Sequence, residues 1–277
     1  MLSYYLYIFN YIYIRFLSFF NYIKSTQTQK HKNNIIVSLT TIPSRVPHII
    51  NTINSILMQT VLPSKIVIGI PLVSQREPHL KYIFHENILQ HKLIDIIQYE
   101  EDKGPIMKLL TGLDYADKNT NIITIDDDTI YEEHLIETLI TNIDNLHNVY
   151  CTIGRDSNNK KSFGSEVKEE KKQLRTLEGY GGVLYKKSVI NAEPLLYMLE
   201  TVSEICKYND DLLISAYLQK EGINIQLIPY DVKEPINSSF FTKQTNPLWL
   251  INEEKGFFNN VAEELNLFTT LSRTFQV

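Results

Sequence analysis

The residues best suited to do chemistry are three consecutive carboxylates, Asp126, Asp127 and Asp128. They follow the apolar run Ile122-Ile123-Thr124-Ile125, so a strand delivers them together at its C-terminal end, where open α/β sheets place their ligands. Adjacent carboxylates repel one another and are costly to desolvate unless a cation or strong donors neutralise them. Oxygen ligands this hard suit Mg²⁺ or Mn²⁺, and such a cation bridges naturally to a diphosphate. A single aspartate here would be explained as the N-cap of a helix beginning near Tyr131; three are not.

A second acidic pair, Asp210-Asp211, opens an amphipathic stretch over residues 210–220 that Gly222 closes. Either the pair caps that helix, or one carboxylate is a general base, a role that requires hydrogen-bond reach of the hydroxyl it deprotonates. Between the two acidic groups lies Glu178-Gly179-Tyr180-Gly181-Gly182. Gly179, Gly181 and Gly182 allow close backbone approach to a ligand, or form a tight turn before the strand that begins at Val183. A haloacid-dehalogenase-type phosphatase also uses two aspartates spaced two apart after an apolar strand, as Asp126 and Asp128 are, with a later acidic pair on its metal. That family places its aspartates after the first strand of the domain, whereas several strand–helix units precede them here, and Ile130 stands where threonine or valine is usual.

The elements that must position these groups follow a clear rhythm. Apolar, β-branched runs at residues 35–39, 66–70, 94–98 and 121–125 alternate with helix-period stretches at 47–59, 77–90 and 105–116. This alternation predicts βαβ units and an α/β fold with a mostly parallel central sheet. Unbroken apolar strands imply helices on both faces. A helix over 131–142, a fifth strand over 149–153 and a last strand over 225–228 continue the pattern, while 155–172 reads as a polar surface loop. With 277 residues, 43% of them hydrophobic, the chain can bury its own core. Cys151 and Cys206 support neither a disulfide framework nor a zinc cluster and read as buried thiols of a reducing compartment. A net charge of −5 leaves no basic surface for nucleic acid.

The N-terminal stretch 2–23 is almost wholly apolar or aromatic, interrupted by Asn10, Arg15, Ser18 and Asn21. Its length matches the roughly 20 residues that span a bilayer. Lys24, Lys30 and Lys32 after it would keep the domain on the cytoplasmic side. The expectation is a membrane-associated protein anchored by a hydrophobic or interfacial helix, the alternative being a cytoplasmic protein with the helix packed on the domain. The expected organisation is a hydrophobic helix at 1–24, a polar linker at 25–34, a catalytic domain at 35–235 and a C-terminal extension at 236–277.

Taken in order, several segments resemble GT-A glycosyltransferases related to glycosyltransferase family 2. They are Val37-Ser38-Leu39-Thr40-Thr41-Ile42-Pro43-Ser44-Arg45, then Ser55-Ile56-Leu57-Met58-Gln59-Thr60, then Glu101-Asp102-Lys103-Gly104-Pro105 with Lys108. The aspartate triad, the glycine-rich segment and Asp210-Asp211 follow in family order, so the resemblance covers roughly residues 35–228. It implies a GT-A, Rossmann-like fold and transfer from a nucleoside diphosphate sugar to an acceptor hydroxyl on a glycan, lipid or protein, with inversion and with Mn²⁺ or Mg²⁺. Thr40, Thr41, Arg45, Asp102, Lys108, Asp126 and Asp127 would bind the donor, and Asp128 with Asp126 the metal. Asp211 would be the base, tuned by Asp210, and Gly179, Gly181 and Gly182 would line the sugar. Plainer readings of Arg45 and Lys108 are a surface arginine and a solvated helix lysine. The chain's last histidine is His147, so the late histidine that many members use as a metal ligand has no counterpart. A catalytically silent nucleotide- or carbohydrate-binding module on the same fold is the remaining alternative.

Overall fold

In the computed structural model, which describes residues 2–20, 22–23, 34–166, 172–230, 236–237 and 257–267, the apolar runs become the strands of an eight-stranded sheet. The chain begins with helix α1 (Leu2–Phe19) and then enters β1 (Ile35–Thr40), a 3₁₀ turn (Pro43–His48) and α2 (Ile49–Leu57). Next come β2 (Lys65–Pro71), α3 (Glu86–Leu89), β3 (Ile94–Tyr99), α4 (Met107–Tyr115) and β4 (Asn121–Thr124). The short β5 (Thr129–Ile130) precedes α5 (Leu135–Thr141), β6 (Val149–Cys151), β7 (Ile153–Arg155), β8 (Lys161–Phe163), β9 (Lys172–Leu174) and β10 (Thr176–Leu177). The remainder is β11 (Val183–Lys186), α6 (Ala192–Thr201), α7 (Asp210–Lys220), β12 (Ile225–Leu227), β13 (Ile236–Asn237) and α8 (Phe257–Glu264).

The sheet order is β3-β2-β1-β4-β11-β6-β12-β9. β3, β2, β1 and β4 run parallel, β11 lies antiparallel between β4 and β6, and the far edge is mixed. Side chains alternate across each strand. Ile35, Val37 and Leu39 therefore pack with α2 and α5 on one face, while Ile36 and Val67 join α4, α6 and α7 on the other. Burying both faces explains why these strands read as continuous apolar runs.

Three expectations are corrected. The helix expected over 77–90 shrinks to α3: Tyr82, Phe84 and Ile88 pack on the core while Leu80 and Ile83 are exposed, so the apolar positions do not form one helical face. The strand expected over 149–153 is interrupted at Thr152, and its two halves serve different sheets. The supposed loop contains β8, which joins β7 and β10 in a three-stranded sheet.

The N-terminal stretch is helical, but among the described residues no helix is long and apolar enough to cross a membrane, so the membrane anchor is not supported. Instead α1 lays Tyr11 and Ile14 against Ile130, and Asn10 donates from Nδ2 to Glu133 Oε2 at 3.1 Å. Its opposite face leaves Phe9, Ile12, Phe16 and Phe19 exposed. β13 pairs antiparallel with β5, and α8 packs beside Leu212 and Ala216 of α7. Both cysteines are buried and free.

Candidate active site

The aspartate triad leaves the end of β4 and divides between two cations, Arg45 and Lys108. Asp127 points back into the protein. Its Oδ2 accepts from Thr41 Oγ1 at 2.5 Å, its Oδ1 from Arg45 Nη1 at 2.9 Å, and its carbonyl from Thr52 Oγ1 at 2.8 Å. Arg45 Nη1 also lies 3.2 Å from Asp128 Oδ2. The guanidinium is mostly buried, so it is not a surface arginine. The turn carrying it is braced from β2's side, since Ser44 donates from N and Oγ to Glu77 at 2.8 and 2.6 Å. Thr40 does not reach the triad; its hydroxyl donates to Gly69 O at 2.7 Å.

Asp126 faces the other way. Its Oδ1 accepts from Lys108 Nζ at 2.7 Å, and that ammonium also lies 3.0 Å from Asp210 Oδ2. Lys108 projects from the first turn of α4 into the interior with 6% of its side chain exposed, which rules out a solvated helix lysine. Burial alone would depress its pKa, but the carboxylates of Asp126, Asp210 and Asp211 outweigh that cost and hold it well above the ordinary lysine range. One cation thus ties the end of β4 to the start of α7.

Asp211 stands beside this cation. Its Oδ2 accepts from the backbone N–H of Gly179 at 2.9 Å, while Oδ1 is buried without a hydrogen-bond partner. Burial first, and the neighbouring Asp210 second, push its carboxyl well above the usual carboxylate range, with Lys108 opposing them. Gly179 is required by this contact: a Cβ there would sit 2.7 Å from Asp211 Oδ1 and 2.8 Å from Lys108 Nζ. Gly181 and Gly182 answer to packing instead. A Cβ on Gly181 would strike Thr152 Oγ1 at 2.6 Å, and Gly182 adopts φ +88° against Leu135.

Asp102 sits at the tip beyond β3, where its carboxylate accepts from Gln75 N at 2.7 Å and Gly104 N at 2.8 Å, pinning the two neighbouring loops. Arg76 lies within the electrostatic reach of Asp102, Asp127 and Arg45, so this corner belongs to the same charged basin. Sequence reasoning missed Tyr131, whose buried phenol oxygen accepts from Asp126 N at 2.9 Å and fixes the turn after β4. It also missed the reason for the Gln59-Thr60 pair. Gln59 donates to Glu132 O at 2.6 Å and accepts from Ile136 N at 2.9 Å, and Thr60 N donates to Glu133 O at 2.8 Å, bracing the segment between the triad and α5.

A cation would find suitable ligands here. Arg45 pairs with Asp127 and Asp128, and Lys108 with Asp126 and Asp210, so the carboxylates of the β4 turn and of the start of α7 gather around two shared cations. Asp126 engages one oxygen on Lys108, and its Oδ2 has no hydrogen bond among the described residues. The donor set of Asp126 and Asp128 is that of a hard divalent ion. A different acidic cluster, Glu132, Glu133 and His134, brings three ligand atoms within 4.8 Å of one another, but these groups already hold the turn leading into α5 and bond to Asn10 and Tyr230.

No protein-family profile matches the chain, and no curated protein sequence matches it significantly. Solved structures do match. The mannosyltransferase PcManGT from Pyrobaculum calidifontis, solved with GDP-Man and Mn²⁺, aligns over 94% of this chain and 73% of its own at 12% identity and a TM-score of 0.50. S. aureus TarS aligns over 83% of this chain and 64% of its own at 16% identity and a TM-score of 0.48. GalNAc-T7, solved with UDP, GalNAc and Mn²⁺, aligns over 75% of this chain at 10% identity and a TM-score of 0.47, and this chain spans only 46% of its length. The match to PcManGT, together with the strand order, shows that the two chains share a Rossmann-like α/β fold built on a mixed central sheet.

Proposed function

We propose that this chain transfers a sugar from a nucleoside diphosphate sugar to an acceptor hydroxyl, with inversion at the anomeric carbon. The observation that carries the reading is the buried Lys108, which joins the Asp126 turn to the Asp210–Asp211 pair. Donor-side and acceptor-side carboxylates thereby form one connected group across the C-terminal end of the sheet, where α/β folds bind ligands. The fold shared with a mannosyltransferase solved with its nucleotide sugar and Mn²⁺ supports the same class.

In this reading Asp126 and Asp128 would hold Mn²⁺ or Mg²⁺, which would supply the positive charge that stabilises a leaving diphosphate. Asp127 does not touch the donor; with Thr41 it aims Arg45, whose planar fork suits phosphate oxygens or the Asp128 carboxylate. Asp211 takes the proton of the acceptor hydroxyl. Burial and the neighbouring Asp210 hold its carboxyl above the usual carboxylate range, which makes the ionised form a stronger base. The acceptor oxygen then bonds to the anomeric carbon as the bond to the diphosphate oxygen breaks, and the diphosphate leaves with the electron pair. One base on one side of the sugar, with the leaving group on the other, gives inversion.

The phosphatase reading is not favoured, because Asp126, its nucleophile, is engaged by Lys108 and follows the fourth strand of the sheet. A silent binding module would have no use for a carboxylate with a buried, unpartnered oxygen at the end of the sheet. The test is a panel of nucleotide sugars with Mn²⁺ and mixed acceptors, scored for nucleoside diphosphate release and for the anomer formed. Turnover on at least one donor that Asp211→Asn lowers about 10²–10⁴-fold supports the reading; equal turnover by Asp211→Asn, or a retained anomer, contradicts it.

A further inference from the structure

Beside the candidate base lies an aromatic and cationic patch that the donor chemistry does not use. Lys161 and Phe163 are two residues apart on β8 and therefore share one face. Lys161 Nζ lies 4.7 Å from the centroid of the Tyr180 ring and 5.7 Å from that of Phe163. Tyr180 directly follows Gly179, whose N–H is bound to Asp211, so the platform begins one residue from the proton acceptor. Lys161, Phe163 and Tyr180 are each partly exposed rather than buried in a core.

The charges argue for an anionic occupant. Lys161 sits directly opposite Arg155 in the β7–β8 ladder, and like charges so placed destabilise a sheet. Arg155 is balanced by Glu178 at 2.7 Å and stacks on Phe258 at 4.7 Å. Lys161 has no carboxylate partner among the described residues, only the two rings. A cation held this way, next to a basin rich in carboxylates, is the local counter-charge that an acidic molecule would need in order to approach Asp211. The rings offer the apolar faces on which sugar C–H groups pack, the usual mix of aromatic wall and few polar groups in a ligand site.

We propose that Lys161, Phe163 and Tyr180 form the acceptor subsite and that the acceptor is an anionic sugar, one bearing a carboxylate or a phosphate ester. This rests on the glycosyl-transfer reading, and its test separates the two. Glucuronic acid, glucose 6-phosphate and glucose are titrated into the full chain at low salt and followed by ligand-observed NMR, with a nucleoside diphosphate plus Mn²⁺ titrated in parallel. The wild type should bind at least one acidic sugar about tenfold tighter than glucose, the value of a hydrogen bond to a charged group, and the preferred acid identifies carboxylate or phosphate. Lys161→Gln should bring that preference to within about twofold. Tyr180→Ala should weaken all three sugars about three- to tenfold, whereas Tyr180→Phe should not. Nucleotide binding should be unchanged in every variant, which also shows that they fold. Intact nucleotide binding with no preference for acidic sugars, or a preference that survives Lys161→Gln, overturns the subsite. A Lys161-dependent preference in a chain that binds no nucleotide keeps the subsite and overturns the glycosyl-transfer reading.

Discussion

Replacing Lys108 with methionine probes the joint between the two halves of the site. Methionine keeps the unbranched stem and removes only the charge. Breaking a buried ion pair costs about 3–5 kcal/mol because the orphaned carboxylate stays buried. The Asp126 end is 32% exposed, and pairs that open to water contribute only about 0–1 kcal/mol. Most of the cost therefore falls on Asp210, which is 9% exposed, and the expected loss at pH 8 is about 3 kcal/mol. The pH dependence has a definite sign. Lys108 opposes the upward shift of Asp211, so its removal raises that pKa further. A carboxyl whose folded pKa exceeds its unfolded value contributes stability at low pH and loses it as pH rises through the folded pKa, by about 1.4 kcal/mol per pH unit. The deficit of Lys108→Met should thus narrow between pH 8 and pH 5, and adding Asp210→Asn should recover more than about 1 kcal/mol by coupling. Urea unfolding at several pH values measures all three quantities. A loss under about 1 kcal/mol at every pH, or a deficit that widens on acidification, would refute the assignment of Lys108 as the buried counter-charge.

Asp211→Asn should stabilise the fold relative to wild type increasingly as pH rises above the ordinary carboxylate range, because the variant has no proton to lose; thermal melts at pH 5 and pH 8 check the trend. Gly179→Ala should cost about 1–3 kcal/mol by overpacking and slow turnover, since the new methyl meets Asp211 and Lys108. Gly222→Ala, which meets nothing but sits at φ +69°, should cost about 1 kcal/mol by backbone strain and leave turnover unchanged. Asp127→Asn should loosen Arg45 and weaken nucleotide affinity without abolishing metal dependence, which calorimetry with and without Mn²⁺ would resolve.

Where a strand is buried on both faces, its sequence shows it. β1, β2 and β4 are continuous β-branched runs because α2 and α5 cover one side and α4, α6 and α7 the other, whereas the edge strand β3 is interrupted by Asp95 and Gln98 and is only partly buried. The triad was conspicuous for a related reason, since three adjacent carboxylates at the end of such a run repel one another unless partners neutralise them. β8 was not legible: Lys161-Ser162-Phe163 is three residues long and buries only Ser162. A stretch that short, with polar neighbours, carries no period. The Lys108 bridge was also hidden, because it joins Asp126 and Asp210, 84 positions apart, and only the approach of α7 to the Gly104–Ile106 turn that leads into α4 brings them together. The N-terminal helix misled in the opposite direction. Tyr11 and Ile14 are apolar in order to cover Ile130, and composition alone does not distinguish that from contact with lipid.

The central claim is that the turn after β4 binds a metal–nucleotide pair. Calorimetric titration of nucleoside diphosphates into the full chain, with Mn²⁺ and with chelator, compares wild type with Asp128→Asn. Binding that requires Mn²⁺ in wild type and disappears in Asp128→Asn, with the melting temperature preserved, is the predicted result. Absence of nucleotide binding in the presence of Mn²⁺, or binding that neither the chelator nor the substitution alters, would contradict it.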